Sequence, residues 1–196
     1  MSRTRTLSDD IVLERAIDVF WQCGYAGTSL RDLTQATGLS SAALYHRFND
    51  KSGLFVEALR RYADEGLVER LARLSAVADP LGGIGDFLNE LIDMSLADPQ
   101  HRGCLLVNTA LDGAEISIEA RDLVRTRFAE VERFFAERLQ RAVAIGTLDP
   151  KMDVAASATA LLGAVFAIRV MARLDPNPVR LRALADHAIA SLTRQP

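Results

Sequence analysis

Cysteine is scarce in this 196-residue sequence. Two residues, Cys23 and Cys104, cannot build a disulfide framework or a thiolate metal cluster. Strand signals are missing too: no apolar–polar alternation is sustained, and no Asn-Gly or Asp-Gly hairpin sits between alternating runs. Common enzyme motifs are absent. There is no glycine-rich phosphate loop, no His-Glu-x-x-His metal spacing and no nucleophile elbow. The three histidines, His46, His101 and His187, are scattered. Neither an enzyme nor a resident cofactor or metal is expected. Long apolar runs are also lacking: the most apolar one, Val154–Ile168, has fifteen residues and is rich in alanine. That is too short for a membrane span and reads as a buried helix. The N-terminus, MSRTRTLSDD, has basic residues with no apolar signal core behind them, so a cytoplasmic protein without a membrane partner is expected.

Charge of either sign is not in great excess. Twenty-three basic and 26 acidic residues leave a net charge of −3, and residues 1–60 are balanced, so the acidic surplus belongs to residues 61–196. This argues against nonspecific coating of polyanions and leaves specific binding open.

What the sequence does contain is helical periodicity, nearly throughout. Ser8 is placed to cap a helix with Ile11, Val12, Ala16, Val19 and Phe20 on one face, ending at Gly24. A short second helix starts at Thr28 or Ser29 and breaks at Gly38. Ser40 can cap a third, and Asp50 a fourth that runs from Lys51 to Leu74 with a bend at Gly66. Longer helices are predicted over Ile84–Leu96, Cys104–Leu111, Ile116–Ile145, Asp153–Leu174 and Val179–Thr193. Nine helices with short connections make an all-α protein. It divides into an N-terminal helix-turn-helix domain, residues 6–66 with the motif at 29–48, and a larger C-terminal helical domain, residues 67–196.

The third helix shows an unusual outer face. In GLSSAALYHRF, residues 38–48, Leu44 and Phe48 share one side and enter a core. The other side carries Ser41, Ala42, Tyr45 and His46, with Arg47 beside them. Two short helices joined by a glycine-containing turn form the layout that places its second helix in the DNA major groove. Ser41, Ala42 and Ala43, near the helix start, are positioned for base edges, and Tyr45 and His46 for phosphates. Singly, each of these is an ordinary surface residue; the ordered set favours DNA.

The segment GYAGTSLRDLTQATGLSSAALYHRFNDKSGLF resembles the DNA-binding domain of the TetR family of bacterial regulators, over about residues 6–64. The resemblance rests on Gly24-Tyr25, Thr28-Ser29, Asp32-Leu33, Gly38-Leu39-Ser40, Leu44-Tyr45, Phe48 and Lys51-x-x-Leu54. It implies DNA contacts from Thr28, Ser29 and Arg31 at the start of the second helix. It places Ser40, Ser41, Ala42 and Ala43 at the base-reading end of the third. It makes Tyr45 and His46 a phosphate-binding pair and has Lys51 grip phosphate from the fourth. Three residues depart from the family pattern. Ala42 stands where Gly is frequent and Ala43 where Thr or Ser is, which shifts weight to methyl contacts and DNA shape. Gly53 replaces a Glu, so Asp50 lacks a reciprocal capping partner and the first turn of the fourth helix is a candidate hinge.

The resemblance also implies a homodimer on a double-stranded DNA operator, most often a repressor, with a pocket for an unknown small-molecule effector. By position, the pocket candidates are Phe87, Leu91, Met94, Cys104, Asn108 and Phe128; Asn108 could orient a ligand or cap a neighbouring carbonyl. Dimerisation is expected through the last two helices. There Ala156, Ala160, Gly163 and Ala167 recur at helical spacing as a smooth stripe, with Leu161 and Val165 adding apolar area nearby. Cys104 follows Arg102-Gly103 at a helix start, features that favour thiolate. It resembles a family branch in which a cysteine there senses electrophiles or oxidants. The alternative is that Cys104 merely packs, as Cys23 is expected to do. A helical enzyme or docking adaptor remains as a rival class, although an adaptor has no need for Thr28, Arg31, Tyr45 and Lys51 to act in concert.

Overall fold

The computed structural model describes residues 7–193. The expected domain limits at residues 6 and 196, and most of the N-terminal segment read above, lie outside the described residues. Among these there are helices and no strands: α1 (Asp9–Gly27), α2 (Leu30–Thr37), α3 (Ser41–Phe48), α4 (Lys51–Ala63), α5 (Glu69–Ser75), α6 (Pro80–Ala97), α7 (Leu105–Leu111), α8 (Ile118–Ala144), α9 (Val154–Leu174) and α10 (Pro178–Leu192). A π turn at Asp64–Val68 joins α4 to α5 without a break, so the ten segments form nine rods. The bend expected at Gly66 is this π turn, a common cause of helix irregularity.

Several helix ends differ from expectation for local reasons. Asp79-Pro80 and Asn177-Pro178 start helices rather than separate them. Proline suits the first helical position, where its missing N–H has no partner to lose. The Asp79 side chain accepts from the Leu81 N–H, and Asn177 from Val179 and Arg180. Ser8 occupies the N-cap of α1 without capping it by its side chain. The chain leaves regular α1 geometry at Gly24, with φ +71° and ψ 171°.

Two apolar cores hold the molecule. The first gathers Val12, Ala16, Phe20, Leu33, Leu44, Phe48, Leu54, Phe55, Ala58 and Leu59 from α1–α4. It also draws on Leu105, Leu106 and Val107 of α7 and on Ala120 and Val124 of α8. The α1–α4 head is therefore not sealed by its own helices. The second core packs α6, α8, α9 and α10 around Ile84, Leu88, Phe135, Leu139, Leu161, Ile168 and Leu181. Leu67, in the π turn, packs against both.

Arg138 pins the second core's edge. It is 3% exposed, and its guanidinium donates to the carbonyls of Ser75, Asp79 and Pro80, tying the α5–α6 corner to α8. Burial, ahead of repulsion from Arg141, pushes its pKa down.

By length and composition α9 could cross a membrane: 21 residues, mean hydropathy 1.9. It instead packs against α6, α8 and α10, and carries the buried Arg169. Only 33% of its most apolar stretch is buried in the single chain.

Candidate nucleic-acid interface and cavity

The turn between α2 and α3 is set by backbone chemistry. Gly38 has φ +72°, a left-handed conformation that glycine adopts without strain, and its N–H caps α2 by donating to the Thr34 carbonyl. Ser29 and Asp32 form a reciprocal capping box at the start of α2. Hydrogen bonds from the Ser29 hydroxyl and N–H hold the Asp32 carboxyl below its ordinary pKa. Ser40 caps α3 by accepting from the Ala43 N–H at 3.2 Å. Arg15, from α1, closes the other end of α2 by donating to the carbonyls of Ala36 and Thr37.

The α3–α4 corner is tighter than the sequence suggests. Asn49 has φ +68° and ψ −57°, and the Asp50 N–H donates to the Phe48 carbonyl at 2.8 Å, which makes a strained γ-turn. A Cβ on Gly53 would lie 2.1 Å from that same carbonyl oxygen. Gly53 is thus required by close packing of the backbone. Asp50 still accepts from the Gly53 N–H at 2.8 Å, so half of the cap is present. The reading of Gly53 as merely a lost capping partner is corrected: the first turn of α4 is pressed against α3.

On this frame α3 buries Leu44 and Phe48 and turns Ala42, Tyr45 and His46 outward, with Tyr45 43% exposed. Ser41 and Ala43 are half-buried beside them, and Ser29, Arg31 and Ser40 are exposed nearby. Arg47, by contrast, is occupied: its guanidinium donates to the Leu7 carbonyl and to Asp9 of α1. The Lys51 ammonium rests 4.4 Å from the centre of the Tyr25 ring, at the start of α4. Thr28 does not join this surface. It is 1% exposed and its hydroxyl donates to the Gly24 carbonyl at 2.7 Å, so the expected side-chain contact to DNA is corrected to a role in fastening the α1–α2 corner.

A cavity partly open to solvent lies between the head and the second core. Phe87, Leu91, Met94, Cys104 and Phe128 line it, together with Tyr62, Gly66, Leu67, Arg70, Leu106, Val107, Val131, Val165 and Arg169. Asn108 does not: its amide donates to the Arg102 carbonyl at 2.9 Å, the capping role that was the other option. The Cys104 thiol is 8% exposed and accepts from the Tyr62 hydroxyl at 3.8 Å. Burial, ahead of the neighbouring thiol, pushes the Tyr62 pKa upward, so the phenol is a donor at neutral pH. Arg102 does not serve the thiol. It pairs with Asp98 and Asp18 and stacks 4.1 Å above Trp21. Cys23, expected to pack, is exposed.

The dimer candidates separate by face. Ala156, Ala160 and Gly163 are exposed and Ala167 is half-buried; Ala156 and Ala160 line a groove with Leu161 of α9 and Ala188 and Leu192 of α10. Val165 points the other way, 5% exposed, and Leu161, 1% exposed, packs in the chain's own core while also lining that groove. Helical rotation of about 100° per residue puts Val165 with Ile168 on the inward side, so Val165 is withdrawn from the interface set.

Sequence reading missed Arg169, Tyr62, Arg138 and Arg15. Each acts on residues twenty or more positions away, a distance at which local patterning carries no signal.

An exposed helix face on a short helix-turn-helix, joined to a helical domain with a cavity, defines a DNA-binding transcriptional regulator. Residues 12–58 match the tetR family of bacterial regulatory proteins, and residues 80–188 the tetracyclin repressor-like C-terminal domain. The chain belongs to the tetR family. The transcriptional repressor ComR of Escherichia coli K12 is 28% identical over 93% of this chain and 88% of its own length. The regulator YezE of Bacillus subtilis is 29% identical over 98% of both. A cysteine-substituted form of the TetR family regulator CifR, solved with 26-bp double-strand operator DNA, has a TM-score of 0.87 and 34% identity, covering 96% of this chain and 99% of that one.

Proposed function

We infer that this regulator acts in the cytoplasm as a homodimeric repressor, each protomer setting α3 into a major groove of a double-stranded operator, and that a small-molecule effector releases it. The observation that carries the reading is the outward face of α3, where Ala42, Tyr45 and His46 stand over a fully buried Leu44. In this reading Ala42, Ala43 and Ser41 meet base edges, while Tyr45, His46, Arg31 and Lys51 hold phosphates. Ser29 and Ser40, whose hydroxyls already cap helices, contribute by orienting helix N-termini towards the backbone. CifR, solved on its operator, supports binding to operator DNA, and ComR, a repressor by name, supports the direction of regulation.

Dimerisation uses the exposed small-residue side of α9 with α10. The two protomers then present their heads to half-sites about one helical turn, or a multiple of it, apart. The cavity gives the effector a place beneath the α4–α5 rod, whose far end carries Lys51. A ligand that prefers the form with misplaced heads shifts the population off DNA, and about 5.5 kcal/mol of preference moves it from 1:99 to 99:1.

A second reading has support in one observation: Cys104 lines the same cavity. A reactive effector entering there would meet its thiol, and release of DNA by an oxidant or alkylating agent would be abolished in Cys104→Ser. Release that persists in that variant rules this reading out.

The main reading is tested by selecting bound duplexes from a random pool. Enrichment of a two-fold symmetric site is expected, together with weakened binding in Tyr45→Ala and Lys51→Ala while both variants stay dimeric. Failure to enrich any sequence overturns it.

A further inference from the structure

Two arginines are buried among the described residues, and they are treated differently. Arg138 gives its guanidinium to three carbonyls and is matched on every side. Arg169, from α9, is 6% exposed and makes one hydrogen bond, its Nη1 donating to the Ser95 hydroxyl at 2.8 Å. No carboxylate among the described residues lies within ion-pair distance of it. Other cavity-lining charge is already neutralised: Arg70 pairs with Glu90 at 3.0 Å. A guanidinium stays protonated at any physiological pH. Holding it largely out of water without an anion is unfavourable.

Arg169 borders the cavity, and so does the half-buried Tyr62, whose hydroxyl now donates only to the weak sulfur acceptor of Cys104. The remaining wall is apolar, with Phe87, Leu91, Val131 and Val165 among its residues. One cationic fork and one phenolic donor at the end of an apolar chamber complement one kind of molecule. We propose that the effector is a small organic carboxylate, an apolar body whose acid group pairs with Arg169 and accepts a hydrogen bond from Tyr62. This rests on the reading of the cavity as the effector site. Planar guanidinium matches carboxylate in a two-point fork, and the phenol exchanges sulfur for an anionic oxygen. Ser95 needs nothing from Arg169 to stay satisfied, because its hydroxyl donates to the Leu91 carbonyl at 2.7 Å.

The test uses the full-length protein and calorimetric titration with benzoate and hexanoate, each beside its amide, benzamide and hexanamide, and beside inorganic phosphate. The carboxylates are expected to bind about tenfold or more tightly than the matched amides, and phosphate not at all. In Arg169→Met that preference falls to parity, and the unliganded variant melts no lower than the parent, because an unmatched charge has been removed. Equal binding of acid and amide, binding of phosphate alone, or no binding of either carboxylate overturns the proposal. So does an Arg169→Met protein that melts lower yet keeps the preference. If Arg169→Met does not fold, the acid–amide comparison on the parent protein decides. The two readings fail separately. Carboxylate binding that leaves the operator complex intact sinks effector release and keeps the anion site. Release by an uncharged ligand that ignores Arg169→Met does the reverse.

Discussion

The side chains that α3 turns outward come from one run of neighbouring residues, 41–46, whereas those around the cavity come from helices between Tyr62 and Arg169. The cores differ in the same sense. The reading head borrows Leu105, Leu106, Val107 and Val124 from the larger domain, while the second core is built wholly from residues beyond the π turn. A surface made by one helix needs only a few buried anchors to hold it. A chamber needs the whole bundle to agree. The head can therefore be read locally, and its stability cannot.

The largest expected effect tests whether the cores are one unit. Arg138→Ala leaves the Ser75, Asp79 and Pro80 carbonyls without their donor and should cost about 3 kcal/mol or more. Because the head is sealed by α7 and α8, urea unfolding should show one shifted transition. A separate transition at the parent midpoint would show that the head stands alone.

Next comes the corner that aims α3. Gly53→Ala forces a Cβ against the Phe48 carbonyl and should cost about 2 kcal/mol, with operator affinity falling alongside thermal stability. Loss of stability with affinity unchanged would separate the corner from the interface. A smaller effect is expected from Lys51→Ala. It should weaken binding evenly across operator sequences and lower the salt slope by about 1 per protomer. Its stability effect should be limited to the lost Tyr25 contact, about 0.5 kcal/mol. A sequence-dependent loss would move Lys51 from phosphate to bases.

The smallest effect belongs to the second core's surface. Hydrogen bonds from Arg73, then Arg70, hold the Glu90 carboxyl below its ordinary range. A depressed folded-state pKa means that this stabilisation is present above the unfolded value of about 4.3 and is lost as pH falls through the folded one. Glu90→Gln should flatten the acid limb of a melting-temperature profile and leave operator binding at neutral pH unchanged. An unaltered acid limb would show that the cluster is inert.

These contrasts explain what could be read beforehand. Leu44 and Phe48 announced the buried side of α3, and Gly38 its turn, because each acts within a few residues. The stripe at Ala156, Ala160 and Gly163 was legible too, yet Val165 was set on the wrong side; a helix apolar nearly all round does not say which face is inner. Thr28 looked like a surface residue because its burial depends on α1 folding back over α2. Asn108 stayed between two roles because the Arg102 carbonyl that decides it sits in the turn before α7, and Arg169 could not be resolved at all, since its partner Ser95 lies on another helix. Gly53 was legible as a missing glutamate and illegible as a contact.

The π turn at Asp64–Val68 has a mechanical consequence. Such a turn takes up one residue more than α winding does, so everything after it is phased by about 100° relative to an unbroken helix. That offset lets one rod serve two masters: Leu54, Phe55, Ala58 and Leu59 enter the head, and Leu74 enters the other core. Deleting Gly66 would restore the regular screw and swing one apolar stripe away from its neighbours. The unevenness in the rod is what allows a single backbone to belong to both halves.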